Sequence, residues 1–225
     1  MTGIQQTLRF GLIALALIAA GVLYGCLRDA NDDDAAQEAT PKSARYPRQV
    51  QIIRHGEKTG DESDIHLSSR GAARAAALPS LYVIPPTFPT KPAALVTPDY
   101  LFATRATKHS NRPVETLLPL AKALGDKEIH HKIANDDYPK LVEYIFADAK
   151  HAGKTLLISW HHGNIPELTH AIASRAKNGV ELKATIPVRW EGAMFDRVWI
   201  LTFEPDGSAA FVNLPQRLLF GDSKK

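Results

Sequence analysis

From about residue 45 onward, short apolar runs alternate with longer stretches whose apolar residues recur at helical spacing. Val50-Gln51-Ile52-Ile53 is short and β-branched, as a buried strand should be, and His55-Gly56 breaks it. Leu67 to Leu81 is alanine-rich and predicts a helix, and Tyr100-Leu101-Phe102-Ala103 predicts a second strand. Asn111 to Leu124 has Pro113 in its first turn and Gly125 just past its end, the asymmetry expected of a helix. Tyr138 to Lys150 predicts a third helix, with Leu141, Tyr144 and Ile145 on one face. Thr155 to Trp160 is the clearest buried strand, and a helix from about Pro166 to Ala176 follows it. Val198–Phe203 and Ala209–Val212 flank Pro205-Asp206-Gly207 and predict a hairpin. This alternation predicts an α/β domain over 49–225: a three-layer sandwich, its mostly parallel sheet covered by helices on both faces, with an antiparallel edge.

The first 48 residues follow another pattern. Every residue from Phe10 to Leu23 is apolar or glycine, and Arg9 precedes the run. A basic n-region and an h-region of this length make a signal segment or anchor over 1–26, too short for an ordinary spanning helix. The run ends in Leu23-Tyr24-Gly25-Cys26, which resembles the bacterial lipoprotein signal, where the cysteine is lipidated and becomes the new N-terminus. An uncleaved anchor and other processing stay open, and all of these place the domain outside the cytoplasmic membrane. Residues 27–48 carry Asp29, Asp32, Asp33, Asp34 and Glu38 without apolar periodicity, and are expected to be a flexible tether.

Composition narrows the classes further. Cys26 is the single cysteine, which excludes an internal disulfide and a cysteine-based zinc site. The formal charge is +3, and setting aside residues 1–26, with one arginine and no acid, leaves 26 basic against 24 acidic residues. That balance gives no footprint for nucleic acid.

His and Gly occur together where two of the buried strands end: Arg54-His55-Gly56-Glu57 and His161-His162-Gly163-Asn164. In open α/β sheets ligands bind at the carboxyl ends of strands, so both segments are expected to face a site. Arg54-His55-Gly56-Glu57 resembles the signature of the histidine phosphatase (phosphoglycerate-mutase-like) superfamily. Leu67-Ser68-Ser69-Arg70-Gly71 is similar to the segment that opens that family's first helix. Ser110-Asn111-Arg112-Pro113-Val114-Glu115-Thr116 is similar to the one in which an arginine, four residues before a threonine, opens the next. His162-Gly163-Asn164 resembles the second catalytic histidine. The resemblance runs in order over about 45–170.

The resemblance implies that His55 is a nucleophile forming a phosphohistidine, with no metal or organic cofactor, and that Arg54 and Arg112 hold the phosphoryl group. Those residue types have the right chemistry, since a neutral imidazole attacks phosphorus well and guanidinium forks match phosphate geometry. Arg105 competes with Arg112, because the connection from Thr104 to Arg112 is longer than the family's usual one. His161 competes with His162, and His162 is preferred here. Glu57, Asp136 and Asp137 are the candidate general acids, and nothing in the sequence selects among them. His130, His131 and His151 lack helical i, i+4 ligand spacing and an acidic partner, so they are expected to be surface residues and no metal site is expected.

The sequence therefore reads as a membrane-tethered, extracytoplasmic phosphatase acting on a phosphorylated small molecule. A phosphotransferase or mutase is the runner-up enzyme, disfavoured because a mutase needs a larger closed pocket. A catalytically idle phosphate-ligand receptor on the same fold is the reading from another class. The N-terminal pattern predicts that mass spectrometry of the mature chain will find Cys26 as its first residue, carrying more than one acyl chain, since one chain anchors only marginally. An unmodified Cys26, or a chain beginning at Met1, rules out lipidation.

Overall fold

The computed structural model describes residues 45–83 and 94–223. The segment 1–26 with Cys26, and the tether up to residue 44, lie outside the described residues.

Six strands form one sheet: β1 (Gln49–Arg54), β2 (Tyr100–Ala103), β3 (Ile129–His130), β4 (Thr155–Trp160), β5 (Arg197–Phe203) and β6 (Ala209–Pro215). Their spatial order is β3-β2-β4-β1-β5-β6. β3, β2, β4 and β1 run parallel, while β5 and β6 close one side antiparallel. Five helices cover it: α1 (Ser69–Ala77), α2 (Arg112–Ala123), α3 (Tyr138–Ala147), α4 (Ile165–Ala173) and α5 (Gly179–Thr185).

The period of two along each strand splits the core into two layers. Val50, Ile52, Leu156, Ile158 and Trp199 pack with Leu141 and Ile145 of α3 and with Leu168 and Ile172 of α4. Ile53, Leu101, Leu157, Val198 and Ile200 pack on the other face with Leu117 and Leu120 of α2. The three-layer α/β architecture expected from the sequence is the one observed. β1 and β4 are buried along their whole lengths, so the near-continuous apolar run of β4 has its cause in double-sided cover.

Several boundaries move. The alanine-rich helix stops at Ala77 and tightens into a 3-10 turn over Leu78–Leu81, with Pro79 removing a helical donor. The third helix ends at Ala147, three residues early, before a 3-10 turn over Ala149–His151. β3 and α5 are additions: two residues carry no periodicity, and α5 buries only Gly179 and Leu182. The expected tether also gives up its last residues, because Tyr46 stacks on Phe203 with centroids 5.7 Å apart and the Arg48 amide donates to Lys154 at 2.8 Å.

The loop after β1 lies against the first turn of α1. Ser68 caps that helix, its hydroxyl accepting from the Gly71 amide at 3.1 Å, and its own amide donates to the Glu57 carbonyl at 2.9 Å. A Cβ on Gly71 would stand 2.3 Å from that carbonyl oxygen. Gly71→Ala is therefore expected to destabilise the domain by about 1–3 kcal/mol, the usual cost of overpacking, measured by urea unfolding. A change below about 0.5 kcal/mol contradicts this packing.

Candidate active site

The centre of the site follows from strand register. β1 and β4 are parallel neighbours with Gln49 opposite Thr155 and Arg54 opposite Trp160. The next residues are His55 and His161, and the His55 amide continues the ladder to the Trp160 carbonyl at 3.1 Å. Adjacent strands lie about 4.8 Å apart, and the two imidazole centroids are 5.0 Å apart, edge to face.

This corrects the preference for His162. The histidine against His55 is His161, because equivalent positions of in-register parallel strands point the same way. His162, one residue on, faces the Val188–Gly192 side, where its Nε2 lies 3.8 Å from the Cβ position of Gly192. The sequence did carry a usable signal: each strand has six residues and then a histidine.

His55 is 3% exposed. Its Nδ1 lies 2.7 Å from the Gly56 carbonyl oxygen, which can only accept, so Nδ1 carries the proton and Nε2 keeps its lone pair. Burial drives the His55 pKa down to about 3 against the pull of that carbonyl, with the positive fields of His161, Arg54 and Arg112 adding to the drop. Burial, then Arg112, His162 and Arg54, bring His161 to about 4, with Asp136 opposing. Burial and the charges of Arg54 and Lys58 lower His162 as well. All three rings are neutral at pH 7.

The arginines are held by backbone. Nη1 of Arg54 donates to the carbonyls of Gly192 at 2.5 Å and Met194 at 3.2 Å, and the guanidinium lies 3.6 Å from the Phe195 ring centroid. Arg112, at the start of α2, donates from Nη1 to the Asp64 carbonyl at 2.7 Å. The four-residue spacing to Thr116 has a physical cause. The Thr116 hydroxyl donates to the Arg112 carbonyl and accepts from the Gly56 amide, both at 2.8 Å, tying the first turn of α2 to the loop that carries His55. Burial, opposed by Glu57 and reinforced by Arg112, lowers the Arg54 pKa to about 10, so the guanidinium stays charged at neutral pH.

Arg54, His55, Arg112, His161, His162 and Arg105 line one cleft of about 500 Å³. Arg105 and Arg112 thus both face it, at different depths. Arg112 acts on both inner imidazoles, while Arg105 is exposed on the rim.

The three candidate acids separate. Glu57 turns away from the cleft into a buried ion cluster. Arg74, 2% exposed, holds it at 2.7 Å and holds Asp222 at 2.8 Å, while Arg70 reaches Glu57 at 3.1 Å. Burial works against the charge on Glu57, but the hydrogen bonds of Arg74 keep its carboxyl below the usual range, so it holds no proton to give. Asp137 pairs with Lys140 at 2.9 Å on the surface. Asp136 accepts from the side-chain amides of Asn164 and Asn135, both at 3.1 Å, and both asparagines line the cleft.

Sequence reasoning missed Phe195, Asn135 and the 192–194 carbonyls, which reach the site by tertiary contacts that leave no local pattern. His151, expected at the surface, is instead fully buried, its Nδ1 donating to the Ile145 carbonyl at 3.1 Å, and His130 pairs with Glu128 at 3.5 Å. Among the described residues no cluster of three metal-ligating side chains occurs.

No family model matches the sequence, and no curated protein matches it. Several solved structures match over about three quarters of the chain. One is assigned as the phosphohistidine phosphatase SixA of Agrobacterium tumefaciens, 15% identical with a TM-score of 0.44, over 75% of this chain and 99% of that one. A second, the mycobacterial glucosyl-3-phosphoglycerate phosphatase Rv2419c with inorganic phosphate, is 14% identical with a TM-score of 0.43, over 74% and 95% of the two chains. A third, assigned as the phosphohistidine phosphatase SixA of Nakamurella multipartitia, is 16% identical with a TM-score of 0.42, over 75% and 96%. At these identities the likeness is one of fold.

The depressed imidazoles set a pH dependence. An unfolded histidine takes its proton near pH 6.5, whereas folded His55 resists protonation to about pH 3. Between those values the unfolded state binds more protons, so stability falls as pH is lowered below 6.5. Urea unfolding at pH 7 and pH 5 is expected to show this loss in the wild type and a smaller one in His55→Gln. Equal losses contradict a buried neutral His55.

Proposed function

We propose that this chain is a membrane-tethered, extracytoplasmic phosphatase that hydrolyses a phosphorylated small molecule through a phosphohistidine on His55. The observation that carries the reading is a neutral imidazole with its Nε2 lone pair unprotonated, set between a second imidazole and two fixed guanidinium groups at the ends of adjacent parallel strands. The N-terminal pattern ending at Cys26 supports the location.

In this reading Nε2 of His55 attacks phosphorus, the bond to the leaving oxygen breaks, and that oxygen departs with the electron pair. Water then attacks the phosphohistidine, the P–N bond breaks, and the neutral imidazole returns with orthophosphate. Arg54 and Arg112 balance the charge on the nonbridging oxygens. A bound phosphoryl dianion raises the pKa of His161, which lets that ring donate a hydrogen bond to the same group. Among the described residues, Glu62 is the one carboxylate lining the cleft, and Lys58 pairs with it at 2.7 Å. Asp136 remains the candidate acid. The scarcity of carboxylates favours leaving groups that depart with little help from a proton donor.

The full chain is expected to hydrolyse phosphomonoesters and to trap, after brief mixing with a 32P-labelled substrate, an acid-labile, alkali-stable adduct. His55→Ala should lose both adduct and turnover. His161→Ala should keep a remnant about 10²–10³-fold below wild type, the effect of removing one stabilising donor, and His162→Ala should be affected less. A His55→Ala variant retaining more than about a tenth of the rate refutes the covalent role, and phosphate binding without adduct or turnover identifies a receptor instead.

A further inference from the structure

Arg112 is held in place without being neutralised. Its guanidinium donates to two backbone carbonyls, from Nη1 to Asp64 at 2.7 Å and from Nη2 to His109 at 3.3 Å. Among the described residues no carboxylate forms a salt bridge with it. A carbonyl orients a guanidinium and leaves its full charge for a ligand, whereas a carboxylate in contact would offset much of it.

The nearer of these two carbonyls belongs to a loop that α2 itself fastens. An antiparallel bridge between Lys58 and Leu67 closes the loop that leaves the His55 segment and returns to α1. Its returning side, 64–67, lies against the first turn of α2. The Asn111 amide donates to the Ile65 carbonyl at 2.9 Å, and the Leu67 amide donates to Oε2 of Glu115 at 2.9 Å. Oε1 of Glu115 accepts from the Asn111 side-chain amide at 3.1 Å and from Nδ1 of His66. The His66 amide in turn donates to Oδ1 of Asp64 at 2.9 Å, which fixes the peptide whose carbonyl holds Arg112.

Glu115 follows Arg112 by three residues, so both side chains leave the helix on the same side. The largely buried carboxylate is nevertheless taken up by Leu67, His66 and Asn111 rather than by the guanidinium.

We propose that Glu115 is the positioning residue for Arg112: it fastens the 64–67 segment to α2 and thereby sets the Asp64 carbonyl that aims the guanidinium into the cleft. This rests on the reading of the cleft as a phosphoryl site. Glu115 itself touches no substrate. A carboxylate bound directly to Arg112 would aim it but compete with the phosphoryl group for its charge. Acting through the Asp64 peptide, Glu115 aims the arginine and leaves that charge free.

The test is a double-mutant cycle in the full chain, with Glu115→Ala, Arg112→Ala and the two combined. It is read as kcat/KM for phenyl phosphate and as the Kd for orthophosphate by calorimetry. Glu115→Ala is expected to lower kcat/KM and to weaken orthophosphate binding by about tenfold, the effect of a misplaced charge-assisted contact. Glu115→Gln still accepts from the Leu67 amide and should lose only about threefold. With Arg112 already removed, the further loss from Glu115→Ala should be less than about twofold, since two changes that act through one contact are not additive. Unchanged kcat/KM and Kd in Glu115→Ala overturn the proposal. So does an equal loss in both backgrounds, because Glu115 then supports the loop and not Arg112. If circular dichroism shows that Glu115→Ala does not fold, Glu115→Gln takes its place in the same cycle, and the same two outcomes overturn the proposal. Failure of the phosphatase reading is a separate result. A wild type that binds orthophosphate without turnover refutes hydrolysis, and the Kd cycle still decides the role of Glu115. A wild type that neither binds nor hydrolyses refutes both.

Discussion

The pairing of β1 with β4 is the contact on which the site depends. Two six-residue strands, aligned end to end, deliver a histidine each to neighbouring positions. A slip of one residue would turn every side chain of one strand to the opposite face. The register is held from both sides, since Ile52 and Ile158 belong to one core layer and Ile53 and Leu157 to the other. Slippage would expose both layers, so the imidazole pair inherits the stability of the whole sheet.

Around that pair, the loop after β1 is fixed from outside the cleft. Thr116 holds the Gly56 amide, Ser68 holds the Glu57 carbonyl, and the Glu57 side chain joins Arg74 and Asp222 in a buried cluster. Breaking a buried ion pair by removing one partner is costly, because it strands the other charge. The cluster therefore acts as a rigid back wall, and its carboxylate has no freedom to exchange protons with the cleft.

Much of this is legible in the chain. The buried runs at Val50–Ile53 and Thr155–Trp160, with His-Gly breaks after them, mark the central strands and the end of the sheet that faces ligand. Arg112 and Thr116 are legible because their spacing is one helical turn, which the hydroxyl bridge requires. The preference for His162 over His161 fails, because facing depends on inter-strand register and a motif compared without gaps contains none. Glu57 looks like an acid from its place beside His55, yet its role is set by Arg74 and Asp222, 17 and 165 residues away. Phe195 under Arg54 leaves no trace in local pattern for the same reason. β3, with two residues, and α5, with two buried positions, fall below the length at which periodicity can register.

The placement of these parts also divides the cleft by how it opens. The His55 amide belongs to the ladder of a central strand covered on both faces, and such amides exchange with solvent only when the sheet itself comes apart. The tips of the two walls, Lys108 and His109 on one side and Val188 and Arg189 on the other, are exposed, and their local opening costs far less than global unfolding. Those exposed tips can therefore change sequence without disturbing the imidazole pair, whereas Trp190 and the Gly192 carbonyl that holds Arg54 cannot. A fold arranged this way keeps one fixed centre while its rim is free to drift towards different ligands.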